Sequence, residues 1–464
     1  MKNYCPQEIK EFYDVAIIGA GVSGGATAYS IFSFTNARRM ALFETYARPG
    51  LVNSNKVNNA ESRHRGAVET NHDLAHARML RVYAQILDRF LETHAPDVYQ
   101  DMQQMVLGVG ELEVASLRRR FAEFKPDYPE IELLERDEIG RREPSVVEGR
   151  DPNEKIVAIC DTKGRAVDYG ALAEVYIQKT AEVAKRFGKE FHTYFDTTIL
   201  KLEPDGDGYL LHTNRGLYRA GMIFCCAGPY SLLFAHSLGV GEEYALLPIQ
   251  GGFYLTRKPS VINGKVYRVQ KPGIPVAQIH MDRAVYDSRE VRMGPTAMVV
   301  PLLEARHWST FFHFVKTKML GPRGLTAFAR TLLNRNMFLF AMRNCGYEIP
   351  YFGKWLFLKA AQKIVPMLAY KDIWYARGVG GIRPQLVNLK TRRLEMGTGK
   401  ILGPNSVFDI TPSPGASSSL GNGLLNASLI PEFSKGRFGF NEIKLKEEFG
   451  VTLESLRTKK TNRA

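Results

Sequence analysis

Three glycines near the start of the chain have the spacing of a dinucleotide-binding turn. Gly19, Gly21 and Gly24 stand in the string GAGVSG, between an apolar, β-branched run and a stretch rich in small residues. In such a turn the first glycine permits the bend, the second lets backbone approach a pyrophosphate, and the third allows close helix packing. Amides at the helix start, with Ser23 beside them, then face the phosphates. The string therefore predicts binding of an adenine dinucleotide.

A carboxylate stands where such a turn needs a ribose ligand. Glu44 ends the apolar string MALFE, about twenty residues after the glycines. There it can accept hydrogen bonds from both ribose hydroxyls, and its charge would repel a 2′-phosphate. This argues against NADP and leaves NAD and FAD as candidates.

Two later turns favour FAD. The string CCAGPYS at 225–231 ends a buried strand in small residues, and TPSPGASSSLGNG at 411–423 precedes a probable closing helix. Amides of the second segment can stabilise negative charge on a flavin ring. The residues of these turns expected to contact the cofactor are Ala227, Gly228, Gly415, Ala416 and Ser417.

Strand and helix patterns around these turns predict the fold class. We expect an α/β protein with a discontinuous, Rossmann-like FAD-binding domain and a second, α+β substrate domain built on a mainly antiparallel sheet. The expected boundaries are 1–80, 155–240 and 373–435 for the FAD-binding domain, 81–154 and 241–372 for the substrate domain, and 436–464 for a C-terminal tail that frays from Ser455.

The net charge of +14 points to an anionic partner. Ten lysines and arginines, but a single acidic residue, Glu348, lie between Lys316 and Lys371, interleaved with phenylalanine and tryptophan. Basic, aromatic-rich helices suit an anionic membrane surface. We predict such a helical region over 310–371; the alternative is an ordinary basic face over a core.

The remaining composition limits location and cofactor. The first residues, MKNYCPQEIKEFYD, are too charged for a secretory signal, and no run of eighteen apolar residues exists that could span a membrane. Five scattered cysteines without C-x-x-C spacing predict reduced thiols and no bound metal. We expect a location in the cytoplasm or, peripherally, on the cytoplasmic side of the inner membrane.

Taken together, the chain resembles the malate:quinone oxidoreductases, a family among the flavoproteins related to D-amino acid oxidase. The resemblance runs from about Tyr13 to about Ile430. Besides the glycine turn it is carried by SNKVNNAESRHRGAVETNH at 54–72, IPVAQIHMD at 274–282, VRMGPTAMVVP at 291–301, GVGGIRPQLVN at 378–388 and SPGAS at 413–417. The stretch ESRHR at 61–65 departs from the family pattern, being bulkier and more charged.

The resemblance implies FAD-dependent oxidation of (S)-malate to oxaloacetate, with electrons passed to a membrane quinone. Such a reaction needs a base for the substrate hydroxyl. His280, at the end of an apolar strand, and His64, in a loop after the second strand, are candidates because imidazole accepts protons near neutral pH. We expect His280 to be the base, with His64 in an orienting role or in contact with flavin.

The substrate carboxylate needs a cation. Arg383, in GGIRPQ, is the expected clamp because guanidinium offers a bidentate fork and the neighbouring proline stiffens the backbone. Malate carries a second carboxylate, for which either Arg65 or Arg292 could serve. Gln250 is a further candidate to line the pocket.

Other functions stay open at this stage. L-lactate or L-2-hydroxyglutarate could be the substrate, and oxygen could replace quinone as the acceptor. A flavin-dependent nucleic-acid-modifying protein would also explain the basic charge, but no recognisable RNA-binding motif is present and the aromatic residues stand among leucine and methionine, as in membrane helices. A flavin-binding scaffold without turnover is a third alternative.

Overall fold

The computed structural model describes residues 8–258, 261–270, 278–285, 290–395, 399–410 and 414–457. Residues 274–277 and 411–413, which belong to two of the strings above, therefore lie outside the described residues, as do both ends of the chain. The strands are β1 (Ile9–Ile18), β2 (Arg39–Phe43), β3 (Tyr99–Asp101), β4 (Gln104–Val109), β5 (Ile131–Leu134), β6 (Ile156–Asp161), β7 (Arg165–Val167), β8 (Glu190–Tyr194), β9 (Ile199–Asp205), β10 (Gly208–Thr213), β11 (Gly216–Cys225), β12 (Tyr244–Gln250), β13 (Tyr254–Thr256), β14 (Lys265–Arg268), β15 (His280–Arg283), β16 (Val291–Gly294), β17 (Met298–Val299), β18 (Ile373–Tyr375), β19 (Ile382–Asn388), β20 (Arg393–Leu394), β21 (Gly399–Gly403) and β22 (Ser406–Ile410). The α-helices are α1 (Val22–Phe34), α2 (Leu74–His94), α3 (Glu111–Phe124), α4 (Arg136–Arg142), α5 (Pro144–Val147), α6 (Tyr169–Arg186), α7 (Tyr230–Ser237), α8 (Phe311–Val315), α9 (Pro322–Leu332), α10 (Arg335–Tyr347), α11 (Phe352–Ala361), α12 (Ser419–Ala427), α13 (Ile430–Phe433), α14 (Glu442–Phe449) and α15 (Leu453–Leu456).

A largely parallel sheet carries the glycine turn. Strands β22, β11, β1, β2 and β8 lie side by side in that order and run parallel. Both faces of β1 are covered: Val15 and Ile17 pack with helix α1, whereas Ala16 and Ile18 face a second core. This explains the unbroken apolar run before Gly19, because a strand buried on both faces shows no alternation. The predicted Rossmann-like layer is confirmed.

Two further sheets build the second part of the molecule. One has the order β18-β13-β16-β15-β14-β4-β6-β5, with only the β14–β4 pair parallel, and the other has the antiparallel order β17-β12-β19-β20. The mainly antiparallel substrate layer was predicted correctly. His280 begins β15 and Arg383 lies in β19.

Sheet membership divides the chain differently from the expected boundaries. Strand β6, at 156–161, pairs with β4 and β5, and β18 to β20, between 373 and 394, also join the second part. Helix α2 packs instead on the FAD-binding part, where Phe90 contacts Tyr29 of α1 and Tyr176 of α6. Pairing between strands that are distant in the sequence decides which sheet each strand joins, and such pairing cannot be predicted from the local sequence pattern.

The segment expected as a C-terminal tail, with fraying only from Ser455, is folded through Arg457. Leu445 and Phe449 of α14 and Leu456 of α15 are buried in the core beside α1 and α2. Asn441 caps α14 by accepting from the Lys444 amide, and Gly450 ends that helix in a left-handed conformation. The prediction of a tail is therefore wrong for residues 436–457.

Candidate active site

The glycine turn has the geometry that its spacing predicts. Gly19 has a φ of 98°, and a Cβ there would lie 2.7 Å from the Cys226 carbonyl oxygen. A Cβ on Gly24 would lie 1.9 Å from the Gly19 carbonyl oxygen. Gly21 differs, because its Cβ would meet only the Ser54 hydroxyl, at 3.2 Å. Gly19 and Gly24 thus serve the fold, whereas Gly21 keeps a backbone surface clear at the start of α1, with Ser23 half-buried in its first turn.

This difference between the glycines predicts a selective loss of cofactor. We expect Gly21→Ala to fold with an unchanged melting temperature in the FAD-free form but to bind FAD about tenfold more weakly, because the methyl group stands where the pyrophosphate approaches. Titration of the stripped protein with FAD, followed by flavin fluorescence, measures this. Equal FAD affinity in the variant and the unsubstituted protein would contradict the assignment.

Glu44 directly follows β2 and faces the same turn. Its carboxylate accepts from the Ala20 amide at 2.7 Å and from the Tyr46 amide at 3.0 Å. Burial raises the pKa of Glu44, against the lowering effect of these amides. The side chain is therefore fixed beside the N-terminus of α1, where a ribose would lie.

A single loop, residues 52–66, joins the three predicted cofactor turns; we call it the cofactor loop. Ser54 accepts from the Val22 amide at 3.0 Å, and Asn53 lies against Gly228. At its other end, the His64 amide donates to the Ser417 hydroxyl at 3.0 Å, and that hydroxyl donates to the Ser62 carbonyl at 3.1 Å. The loop therefore runs from the phosphate-binding turn to the segment expected at the flavin, which fits an extended dinucleotide.

The remaining cofactor residues lie along the same path. Ala227 follows β11 and donates its amide to Ser231, and Gly228 has a φ of 56°. Gly415 and Ala416 are half-buried just before α12. The sequence alone did not reveal Asn53 and Ser54, although a run of small polar residues after Glu44 was the available signal.

His64 is held by a buried glutamate that the sequence analysis missed. Its Nδ1 lies 2.6 Å from Glu69 Oε1, and Glu69 Oε2 accepts the Gly66 amide at 2.8 Å. Burial would raise the pKa of Glu69, but the hydrogen bond and charge of His64 lower it to about 2. Because an ionised carboxylate only accepts hydrogen bonds, Nδ1 carries the proton. Nε2, on a ring that is 21% exposed, is left as the acceptor.

His280 has a different environment. The residue is 3% exposed, its ring lies against Tyr267, Nδ1 is 3.4 Å from the Gln278 carbonyl, and Nε2 is 3.6 Å from Asp282 Oδ1. Burial lowers the pKa of His280 to about 3, against the opposing effect of the Asp282 charge. Nδ1 is near a backbone carbonyl, and Nε2 has no hydrogen-bond partner among the described residues. Because His280 is deeply buried whereas the ring of His64 is partly exposed, we prefer His64 as the base, contrary to our expectation.

Arg383 is half-buried and has no acidic partner among the described residues. It lies in β19 opposite Ile249, one position from Gln250, which is half-buried at the end of β12. Burial lowers the pKa of Arg383 to about 10, and its charge in turn helps to lower the pKa of His280. A desolvated guanidinium without a carboxylate is costly unless a ligand supplies one. This is the arrangement expected of an anion clamp.

Arg65 and Arg292, in contrast, are fully engaged by the protein. Arg65 pairs with Asp161 at 2.8 Å and with Glu130. Arg292 lies 2.6 Å from Asp282 and 2.7 Å from Glu61, and it is completely buried. The expectation that either binds the second carboxylate is therefore wrong, because their guanidinium groups already have carboxylate partners.

A buried ionic cluster ties the cofactor loop to the second sheet. Besides Arg292, it contains Lys265, whose ammonium donates to the Ala60 carbonyl at 2.7 Å and the Ser62 hydroxyl at 3.1 Å. Glu61 adopts a left-handed backbone conformation with a φ of 52°. Two cations and two carboxylates, including Asp282, balance the charge. The cluster holds the loop that carries His64.

The basic region forms helices α8 to α11, as predicted, and is rich in exposed apolar side chains. More than half of the large apolar side chains that are exposed among the described residues lie between Trp308 and Met367. Exposed cations alternate with them, including Arg323, Arg335 and Lys359. No helix within the described residues is both long and apolar enough to cross a bilayer.

Known proteins are similar to this chain in sequence and in fold. A family profile described as FAD dependent oxidoreductase matches residues 14–392. The probable malate:quinone oxidoreductase of Campylobacter jejuni is 35% identical, over 94% of this chain and 98% of its own length. The malate:quinone oxidoreductase of Helicobacter pylori strain J99 is 31% identical, over 91% and 94%. The fold also matches the L-α-glycerophosphate oxidase of Mycoplasma pneumoniae, with a TM-score of 0.62, 17% identity and coverage of 91% and 95%.

These similarities confirm FAD as the cofactor and a fold related to that of D-amino acid oxidase. They also confirm that the protein is an FAD-dependent hydroxy-acid oxidoreductase. The chain belongs to the FAD-dependent oxidoreductases and, within them, to the malate:quinone oxidoreductase family.

Proposed function

We propose that this enzyme oxidises (S)-malate to oxaloacetate and passes two electrons to a membrane quinone. The observation that carries the substrate class is Arg383, a half-buried and partly desolvated guanidinium that lacks an acidic partner among the described residues. The names of the relatives support malate and quinone in particular. Residues that contact FAD in this proposal are Gly19, Gly21, Ser23, Gly24, Glu44, Ala227, Gly228, Gly415, Ala416 and Ser417, with Asn53 and Ser54 added from the structure.

The residues of the site divide the chemistry between them. Arg383 binds the carboxylate next to the carbon that is oxidised, through two parallel hydrogen bonds. His64 accepts the hydroxyl proton at Nε2, while Glu69 stabilises the resulting imidazolium. FAD, when bound, accepts the two electrons and the hydrogen of that carbon. His280 and Gln250 line the pocket, and the neutral His280 adds no charge beside Arg383.

Anaerobic reduction of the bound flavin tests the substrate. We expect malate to bleach the flavin faster than L-lactate or L-2-hydroxyglutarate at equal concentration. Lactate belongs in the comparison because Arg65 and Arg292 do not supply a second cation. A faster reaction with lactate would reassign the substrate, and a flavin left oxidised by all three would contradict hydroxy-acid oxidation.

The quinone half of the proposal requires contact with lipid. We place helices α8 to α11 on the anionic cytoplasmic face of the inner membrane, with exposed side chains such as Trp308, Phe312 and Phe338 at the acyl boundary. Exposed cations outside the cleft described below, such as Arg323 and Arg335, bind the head groups. A protein surface with this many exposed apolar side chains marks a site of interaction.

Liposome binding checks this placement. We expect co-sedimentation with vesicles that contain anionic lipid, weaker binding at high salt, and about tenfold weaker binding for the double variant Arg323→Gln/Arg335→Gln. The double variant Arg141→Gln/Arg186→Gln removes the same charge from exposed positions on α4 and α6 and serves as the control. Binding that ignores both lipid charge and salt would contradict the proposal.

A further inference from the structure

A cleft of about 1230 Å³ lies between helix α3, helices α9 and α10, and the turn from β19 to β20. Its walls carry the side chains of Arg119 on α3, Arg330 on α9, and Arg392 and Arg393 at the turn. All four are exposed, and none forms an ion pair with a described residue. Four unpaired guanidinium groups from three separate elements therefore converge on one cavity.

The acidic residues of the cleft do not cancel this charge. Asp73 caps α2 by accepting the His76 amide, and Glu113 accepts the Val109 amide. With Glu123 they make three carboxylates against five arginines, because Arg120 also lines the cavity. A concave surface with an excess of one charge concentrates the field and raises the local concentration of the opposite ion.

Three segments that line the cleft are continuous in the chain with segments of the candidate active site. Thr70 and His72 lie shortly after His64 and Glu69, and Arg120 fixes that segment through four carbonyl groups, those of Gly66, Ala67, Glu69 and His72. Val269 and Gln270 lie two and three residues beyond Tyr267, whose ring contacts His280.

The third of these segments is connected to Arg383, the proposed anion clamp, through the pairing of β20 with β19. Leu394 in the cleft pairs with Val387 of β19, four positions along the strand from Arg383. That separation is about 13 Å at the rise of an extended strand. The cleft is therefore lined by residues that lie close in the chain to His64, to Arg383, and to Tyr267, whose ring contacts His280.

We propose that this cleft is the port through which the dicarboxylate substrate reaches the active site, and that Arg119, Arg330, Arg392 and Arg393 steer it there. The inference rests on the proposed function and adds the route by which the substrate reaches the active site. A hydroxy dicarboxylate stays in water, whereas a quinone stays in lipid. Separate routes let both reach the flavin without the charged substrate crossing the apolar surface.

Rapid-mixing measurements test the port with the FAD-loaded enzyme. In the triple variant Arg330→Gln/Arg392→Gln/Arg393→Gln, the second-order rate constant for flavin reduction by malate should fall about tenfold at low salt. The limiting rate at saturating malate should not change, because the chemistry lies elsewhere. In the unsubstituted enzyme, rising salt should reduce the second-order constant until the two proteins agree.

A matched triple variant, Arg141→Gln/Lys185→Gln/Arg186→Gln, removes the same charge from exposed positions away from the cleft and should behave like the unsubstituted enzyme. Equal second-order constants for the two triple variants would overturn the port. Loss of binding to anionic vesicles in the cleft variant, with malate kinetics unchanged, would also overturn it and assign the arginines to lipid head groups. Failure of malate to reduce the unsubstituted enzyme would instead refute the proposed function.

Discussion

Replacing His64 with asparagine is expected to slow flavin reduction at saturating substrate by about 100- to 10,000-fold, the range of a lost general base. Asparagine can still donate a hydrogen bond to Glu69, and the backbone bond to Ser417 does not depend on the side chain. The cofactor loop should therefore keep its shape while the acceptor at Nε2 is lost. Anaerobic stopped-flow absorbance of the flavin measures the rate.

Two further variants test whether His64 or His280 is the base. Glu69→Gln should slow the reaction less, since glutamine can still accept from Nδ1 but no longer supplies the negative charge that stabilises the imidazolium. His280→Asn should also cost less than His64→Asn, because burial makes His280 a poor proton acceptor by lowering its pKa to about 3. A larger loss in His280→Asn than in His64→Asn would restore His280 as the base.

Replacing Arg383 with methionine should raise the malate concentration for half-maximal flavin reduction roughly 100-fold, the cost of losing hydrogen bonds to a charged group. The bound FAD should be retained, because none of the described contacts of the cofactor turns involves Arg383. Arg377→Met, at an exposed arginine nearby in sequence, is the matched control and should leave this concentration unchanged.

Although Arg383→Met should weaken malate binding, it should stabilise the substrate-free protein. The two effects together distinguish an anion clamp from a structural residue. A partly desolvated guanidinium without an acidic partner among the described residues destabilises the substrate-free protein, so Arg383→Met should raise its free energy of unfolding by about 1 kcal/mol. Thermal or denaturant unfolding without substrate measures this. Lower stability combined with an unchanged substrate requirement would identify Arg383 as a structural residue.

Local chemistry explains what could be predicted from the sequence. Gly19 and Gly24 are dictated by contacts within the turn and with the adjacent strand end, so their spacing carries the prediction. Glu44 follows from its position after β2. The basic helices could be predicted for the same reason, because amino-acid composition is a local property.

The predictions that were wrong concern residues whose partners are distant in the sequence. Arg65 and Arg292 looked like free cations because their carboxylates, Asp161 for one and Glu61 for the other, are brought close only by the folded sheets. The deep burial of His280 could not be predicted for a similar reason, since it depends on tertiary packing. The His64–Glu69 pair could have been predicted from the sequence, because Gly66 between them adopts a positive φ and bends the chain back.

The position of helix α12 has a consequence for biosynthesis. This helix, residues Ser419–Ala427, packs so tightly on α1 that a Cβ on Gly423 would lie 2.7 Å from the Ala26 carbonyl oxygen. Strand β22, just before it, completes the parallel sheet beside β11. Helix α1 must therefore wait during synthesis for α12, which lies far along the chain, so we expect FAD to be loaded only after α12 has left the ribosome.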